Sequence, residues 1–255
     1  MSSAPLTQTE IADRLRNENL DEWLELWWAT QGTAKRSALE LMAAILPFPT
    51  AEKLSVLDLC CGPGDVGRVI RSRFSKARVD CLDRDSFLLS LCAALNTRVG
   101  IEGEIFTRDM WKADWSGGLS NNYHAIATAN ALHWFDVARV AELFRDVFRL
   151  LRPGGVFVFL EPASAEANFT EGFVEWKHRQ ARRYDPKTWD RFWARANSFL
   201  GYDHQRHLGS SDPRLIGDEG IPVSEWVRLL ESAGFRGCDV LLRNAEKVVV
   251  ASTKP

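Results

Sequence analysis

The run Val56-Leu57-Asp58-Leu59-Cys60-Cys61-Gly62-Pro63-Gly64-Asp65 joins an apolar segment to a glycine-rich turn. Glycines after a strand and before a helix let a ligand approach the backbone and meet the positive helix end. Asp83 follows Gly64 by 19 residues, a position from which an acid can hold a ribose diol. Spacing alone also allows a dinucleotide reading, because Gly62-Pro63-Gly64-Asp65-Val66-Gly67 fits G-x-G-x-x-G. Asp58 helps to separate the two. A pyrophosphate anion needs an apolar strand up to the first glycine, whereas a carboxylate at that place suits a cationic ligand. Further along stand Thr107-Arg108-Asp109-Met110 and Thr128-Ala129-Asn130-Ala131-Leu132-His133-Trp134. His133 has a pKa range suited to proton transfer, and beside Trp134 it can equally hydrogen-bond and shape a pocket.

Alternating elements must position these residues. The first 50 or so residues read as helices, with Leu15, Leu20, Trp23, Leu24 and Trp27 at helical spacing and a second helix over 38–46, stopped by Pro47 and Pro49. Strands are expected over 54–59, 78–82, 103–108, 124–129 and 156–160, with helices over 65–74, 87–96 and 137–151. Such alternation implies parallel pairing and right-handed crossovers, hence an open α/β sheet. It stops from 163 to 222, a stretch rich in Trp, Phe, Tyr, His and Arg that reads as a helical insertion. A helix over 224–233 and strands over 238–242 and 247–252 follow. The last two strands lie close enough to pair antiparallel at the sheet edge.

The pattern h-D-h-x-x-G-x-G resembles motif I of the class I S-adenosylmethionine (SAM) dependent methyltransferases, and the likeness extends over about residues 54–254. It implies a Rossmann-like sheet of seven strands, ordered 3-2-1-4-5-7-6 with strand seven antiparallel, and SAM as cofactor with S-adenosylhomocysteine as product, without a metal. By the same resemblance Asp58 interacts with the methionine ammonium, Asp83 holds both ribose hydroxyls and Asp109 accepts from the adenine amino group. Cys60, Gly62, Gly64, Arg84, Met110 and Asn130 complete the cofactor candidates. The ending Leu132-His133-Trp134 resembles the trans-aconitate methyltransferase-like subgroup, and Leu150-Leu151-Arg152-Pro153-Gly154-Gly155 the family's turn before strand five. One position departs: the family's first motif glycine is Cys60, small enough to leave room but averse to φ > 0.

Methyl transfer from a sulfonium needs positioning and water exclusion, and a base only where the nucleophile arrives protonated. His133 is the catalytic candidate. Trp28, Trp134, Trp176, Arg179 and Tyr184 are the substrate-contact candidates, with the insertion expected as a helical lid and residues 1–50 as a helical cover. Eight basic against four acidic residues between Val174 and Leu208 would suit an anionic acceptor, or equally a solvated helix face. The strand-four ending lacks the [DN]-P-P-[YFW] of nucleobase amino-methyltransferases and the acid cluster of metal-dependent catechol-type enzymes. Two alternatives stay open: a SAM-binding regulatory or partner-binding protein, and a tRNA-modifying methyltransferase.

Composition sets the outer bounds. The 255 residues are 45% hydrophobic and 26% charged with net charge −2, globular values with no global basic field for nucleic acid. No apolar run would cross a bilayer, the polar start MSSAPLTQTEIADRLRNEN has no signal core, and five cysteines without a C-x-x-C pair argue for reduced thiols and against a zinc site. A cytoplasmic protein acting on a small molecule is expected, its oligomeric state left open. Ten tryptophans suit core filling or an aromatic-walled pocket.

Overall fold

A computed structural model describes residues 5–31, 33–181, 187–204, 215–244 and 247–255. Three helices open the chain: α1 (Gln8–Leu15), α2 (Leu20–Gln31) and α3 (Thr33–Ala44). α1 begins at a capping box in which Thr7 Oγ1 accepts the Glu10 amide and the Glu10 carboxylate accepts the Thr7 amide. The alternating part runs β1 (Ser55–Leu59), α4 (Asp65–Arg73), β2 (Arg78–Asp83), α5 (Ser86–Arg98), β3 (Ile105–Thr107), β4 (Tyr123–Ala129), α6 (Val137–Leu150) and β5 (Leu151–Ser164). Then come α7 (Thr170–Ala181), α8 (Lys187–Leu200), β6 (Ile221–Pro222), α9 (Val223–Ser232), β7 (Arg236–Arg243) and β8 (Lys247–Thr253).

The strand order is β3-β2-β1-β4-β5-β8-β7, with β8 antiparallel to both its neighbours. That is the expected order once β7 and β8 are counted as strands six and seven. The addition is β6, two residues that pair parallel with Ala163 and Ser164 at the far end of β5. A two-residue strand ending in proline carries no periodicity, so only the returning chain reveals it. β5 is also longer than expected: the Arg152-Pro153-Gly154-Gly155 turn lies inside it, with Gly154 at φ +71° and a register shift opposite Tyr123/Ala125.

Alternation along the strands sends side chains to two faces. Leu57, Leu59, Ile126, Phe157, Phe159, Val248 and Val250 face α6 and α9. Val56, Val79, Ala125, Val158, Val249 and Ala251 face α3 and α4. A third apolar cluster sits off the sheet, where Ile11, Leu15, Trp23, Trp27, Phe192 and Leu200 pack on Phe87, Leu88 and Leu91 of α5. Trp23 meets Phe87 edge-on at 5.4 Å and Trp27 meets Phe192 at 5.1 Å between ring centres. The first helices and α8 therefore form one aromatic cap over α5, which is where much of the tryptophan content goes. No helix among the described residues is long and apolar enough to cross a membrane.

Candidate active site

The carboxyl ends of β1, β2, β4 and β5 converge on one edge of the sheet, where ligands bind in open α/β folds. After β1 the chain turns through three left-handed residues: Cys60 at φ +52°, Gly62 at +53° and Gly64 at +84°. Cys60 thus takes the backbone shape that a glycine would take without strain, at a cost of about 1–2 kcal/mol. Gly64 then caps α4.

Three carboxylates shape this turn. Asp83, at the end of β2, accepts the Gly62 amide at 2.8 Å and the Asp85 amide at 3.0 Å. Burial first, and then the charge of Asp85, push its carboxyl up to about 6. Asp58 is fully buried, with Oδ2 accepting the Gly67 amide at 2.7 Å while Oδ1 has no hydrogen-bond partner. Burial pushes its carboxyl well above the ordinary range. Asp65, in the first turn of α4, is met by Lys35 at 3.3 Å, Arg68 at 2.7 Å and the Trp27 indole N–H at 2.6 Å.

Trp27, not Trp28, is the α2 aromatic that reaches the turn: its ring lies 3.5 Å from where a Gly62 Cβ would stand. Successive helical residues point about 100° apart, so the two tryptophans cannot share one target. Trp28 is half-buried against the α3 and α4 side of the core. Arg84 is exposed at the end of β2. Asp109 is half-buried and Oδ1 accepts the Trp111 amide at 3.0 Å. Met110 is buried with its sulfur 3.2 Å from the Cys60 thiol, linking the turns after β1 and β3.

The ends of β4 and β5 hold a different arrangement. Asn130 is left-handed at φ +56°, and its side-chain oxygen accepts from Lys247 of β8. The chain then makes a short turn that delivers His133, 6% exposed, onto Glu161 of β5. Glu161 is fully buried. Its Oε1 accepts the Ala131 amide at 2.7 Å and the Leu132 amide at 2.8 Å, while Oε2 lies 2.7 Å from His133 Nδ1. A carboxylate can only accept, so this contact assigns the proton to Nδ1 and leaves the lone pair on Nε2. On the Nε2 side the Asp218 carboxylate lies 3.8 Å away on a fully solvated side chain. Burial, then the charges of Asp83 and Glu161, push the Cys60 thiol well up, so both acids act on this one side chain.

Glu161 escaped the sequence reading, although its place as the acid that ends the apolar run Val156–Leu160 was the available signal. Trp134 is 47% exposed with its ring centre 5.4 Å from that of His133. Trp176 is 40% exposed and stacks on Phe173 of its own helix, so the described contacts do not bring it to His133. The Arg179 side chain and Tyr184 lie outside the described residues. Of the inserted stretch, α8 packs on α2 and α5, and His204 just beyond it puts Nε2 2.9 Å from Asp85, which caps α5. The returning segment donates the Gly217 amide to the His133 carbonyl at 2.9 Å and the Ile216 amide to the Phe135 carbonyl at 3.0 Å.

Residues 56–155 match a family model described as a methyltransferase domain. The chain has the methyltransferase fold. A malonyl-[acyl-carrier protein] O-methyltransferase from Brevibacillus brevis is 25% identical over 186 residues, 73% of this chain, which spans 56% of that relative's length. Among solved structures, an O-methyltransferase family 2 protein from Planctomyces limnophilus in complex with apigenin superposes with a TM-score of 0.57 at 18% identity, over 97% of this chain and 66% of the other. PigF, solved with SAH, gives 0.50 at 16% identity, over 78% and 50% of the two chains. The methyltransferase turn here fits SAM on its own terms. Its acids suit a cationic ligand, Asp58 Oδ1 is a buried acceptor without a partner, and Asp83 sits where a ribose diol can donate.

Proposed function

We propose that this protein transfers a methyl group from SAM to an oxygen of a small-molecule acceptor, most simply a carboxylate. The observation that carries the reading is the Glu161–His133 pair at the end of β4 and β5, on the same sheet edge as the Asp83 turn. When bound, SAM supplies an electrophilic methyl on a sulfonium with a neutral leaving group. Asp83 accepts from the ribose side, Asp109 from the adenine side, and the Cys60–Gly64 turn brings the backbone close to the ligand. Arg84, Met110 and Asn130 border the same edge.

Glu161 fixes the His133 ring, so Nε2 faces the acceptor. Toward a carboxylic acid the imidazole takes the proton or steadies the oxygen by a hydrogen bond; toward a hydroxyl it takes the proton. The Leu132-His133-Trp134 ending and the relative that acts on a malonyl-[acyl-carrier protein] both support an acid acceptor. The basic character of 174–208 supports it too, with the inserted helices as the lid and residues 1–50 as the cover. Trp134 and Trp176, both with exposed rings, would offer apolar surface to the acceptor as the lid closes.

The test is turnover: incubation with SAM and a panel of small carboxylic acids and phenols, read as S-adenosylhomocysteine released and methylated product by mass. His133→Ala is expected to lower kcat about 10²-fold or more while S-adenosylhomocysteine affinity holds. Cofactor binding with no turnover on any acceptor, in the wild-type protein, would favour the regulatory reading instead.

A further inference from the structure

Three of the five cysteines meet beneath the glycine-rich turn. Cys61 belongs to the turn, Cys81 to β2 and Cys92 to α5, and their sulfur atoms all lie within 4.8 Å of one another. All three are free thiols; Cys81 and Cys92 are 0% exposed and Cys61 is 7% exposed. The Asn96 amide donates to Cys81 Sγ at 3.6 Å and to Cys92 Sγ at 3.5 Å, while its own oxygen has no partner. Cys92 Sγ lies 2.6 Å from where a Cβ on Gly64 would stand, so this thiol presses directly on the turn. The Cys61 amide is tied to the Leu82 carbonyl, and the next amide, Gly62, is the one that Asp83 accepts.

Two chemistries suit three convergent thiols, and charge chooses between them. A soft cation binds thiolates, and three thiolates around a monovalent or divalent ion leave a net negative charge in the core. That core already contains the fully buried carboxyl of Asp58. Joining two thiols as a disulfide leaves no charge at all. Hydrogen bonds from Cys61 and then Cys81 also draw the Cys92 thiol below its ordinary value, against its burial, which favours Cys92 as the nucleophile.

We propose that Cys61 and Cys92 form a peroxide-oxidisable pair whose disulfide reshapes the glycine-rich turn, with Cys81 as a third thiol through which the bond can exchange. The Cys92 thiolate attacks hydrogen peroxide, giving a sulfenic acid and hydroxide. The Cys61 thiol then displaces the sulfenic oxygen as water, and the hydroxide takes up the proton that Cys92 released. Two thiols and one peroxide become one disulfide and two waters. Cys61 is the member with solvent-facing surface, so a molecule little larger than water enters on its side. Bonded sulfurs stand about 2.05 Å apart. β2 and α5 are held in the packed core, so the closing movement falls on Cys61 and pulls the Gly62 amide with it. The consequence for SAM rests on the proposed function, since it acts through the Gly62–Asp83 bond.

The decisive experiment treats the reduced full-length protein with hydrogen peroxide and maps peptides without reduction. A Cys61–Cys92 linked pair, or a Cys61–Cys81 pair formed by exchange, supports the proposal. Calorimetry on the oxidised protein should show S-adenosylhomocysteine bound about tenfold more weakly, the worth of one hydrogen bond to a charged group, with recovery in dithiothreitol. Cys92→Ser should remove both the linkage and the peroxide sensitivity, and Cys238→Ser neither; the wild-type map needs no variant to fold. Oxidation confined to Cys238, a Cys81–Cys92 link that leaves Cys61 free, or a Cys61 link without change in affinity overturns it. Failure of the reduced protein to bind S-adenosylhomocysteine overturns the functional reading instead, and the peptide map then decides this one alone.

Discussion

The two halves of the sheet's carboxyl edge begin alike and then part. β1 and β4 are direct neighbours, with Asp58 beside Ala127, and each strand is followed by a non-glycine residue in the left-handed region, Cys60 and Asn130. On the β1–β2 side the acids keep accepting capacity: fully buried Asp58 has an unpartnered oxygen, and half-buried Asp83 takes the Gly62 and Asp85 amides from the turns after β1 and β2. On the β4–β5 side Glu161 is bonded to the Ala131 and Leu132 amides and to one imidazole nitrogen. One half holds hydrogen-bond acceptors that the proposed function assigns to the cofactor. The other uses its carboxylate inside the protein to hold a single imidazole ring, which the proposed function turns toward the methyl acceptor.

The largest effect that would sharpen this contrast comes from Glu161→Gln. The amide can still accept from Ala131 and Leu132, but its N–H₂ end meets His133 Nδ1 and forces the other tautomer. We expect kcat to fall about 10²-fold with S-adenosylhomocysteine affinity within about twofold of wild type; an equal loss in both would merge the two halves. Asp83→Ala should do the reverse, weakening S-adenosylhomocysteine by about 1–3 kcal/mol in calorimetry through stranded ribose hydroxyls. An unaffected variant would break the comparison on the cofactor side.

The acid on that side should also set a pH dependence. Asp83 titrates near 6 in the folded protein, against an ordinary value of 3.8. Below pH 6 it is protonated and must lose its proton to accept from a ribose diol. Affinity should therefore weaken as pH falls through that value, by up to about tenfold per unit. The stability contribution has the opposite sense: between about pH 4 and 6 the folded form holds the extra proton, so stability from this group declines as pH rises across that window. Isothermal titration at pH 5, 6 and 7 in one buffer series reads the first effect (about tenfold per unit expected below 6).

The smallest effect tests the shared feature. Cys60→Gly removes a side chain from the left-handed region and should raise stability by about 0.5–1 kcal/mol, strain relief less the added freedom of the unfolded chain. Asn130→Gly should gain less, because asparagine tolerates that region. Urea melts of the two variants rank them directly. Equal gains would remove the distinction.

What was legible in the sequence was local or periodic. The strand alternation, the turn at 60–64, Asp58 and Asp83 at strand ends, and the antiparallel final pair all follow from spacing within a few residues of one element. The opening helices were legible as a class but not in number, since α1 and α2 are separated by residues 16–19 with no proline or glycine among them. The choice of Trp27 over Trp28 was not legible, because it depends on which way α2 is rotated over Gly62.

By itself the sequence determined the order of elements and the types of residue delivered to the sheet's carboxyl edge, because hydrophobic period and turn chemistry act along the chain. Only the tertiary structure decided which of those residues touch. Glu161 meets His133 across 28 positions, Trp27 meets Asp65 across 38, His204 meets Asp85 across 119, and three cysteines from a turn, a strand and a helix share one buried space. Burial gives these contacts their chemical character: it raises the Asp83 carboxyl toward neutrality and shields the Glu161–His133 pair from water. The packing that creates it is assembled from segments far apart in the chain.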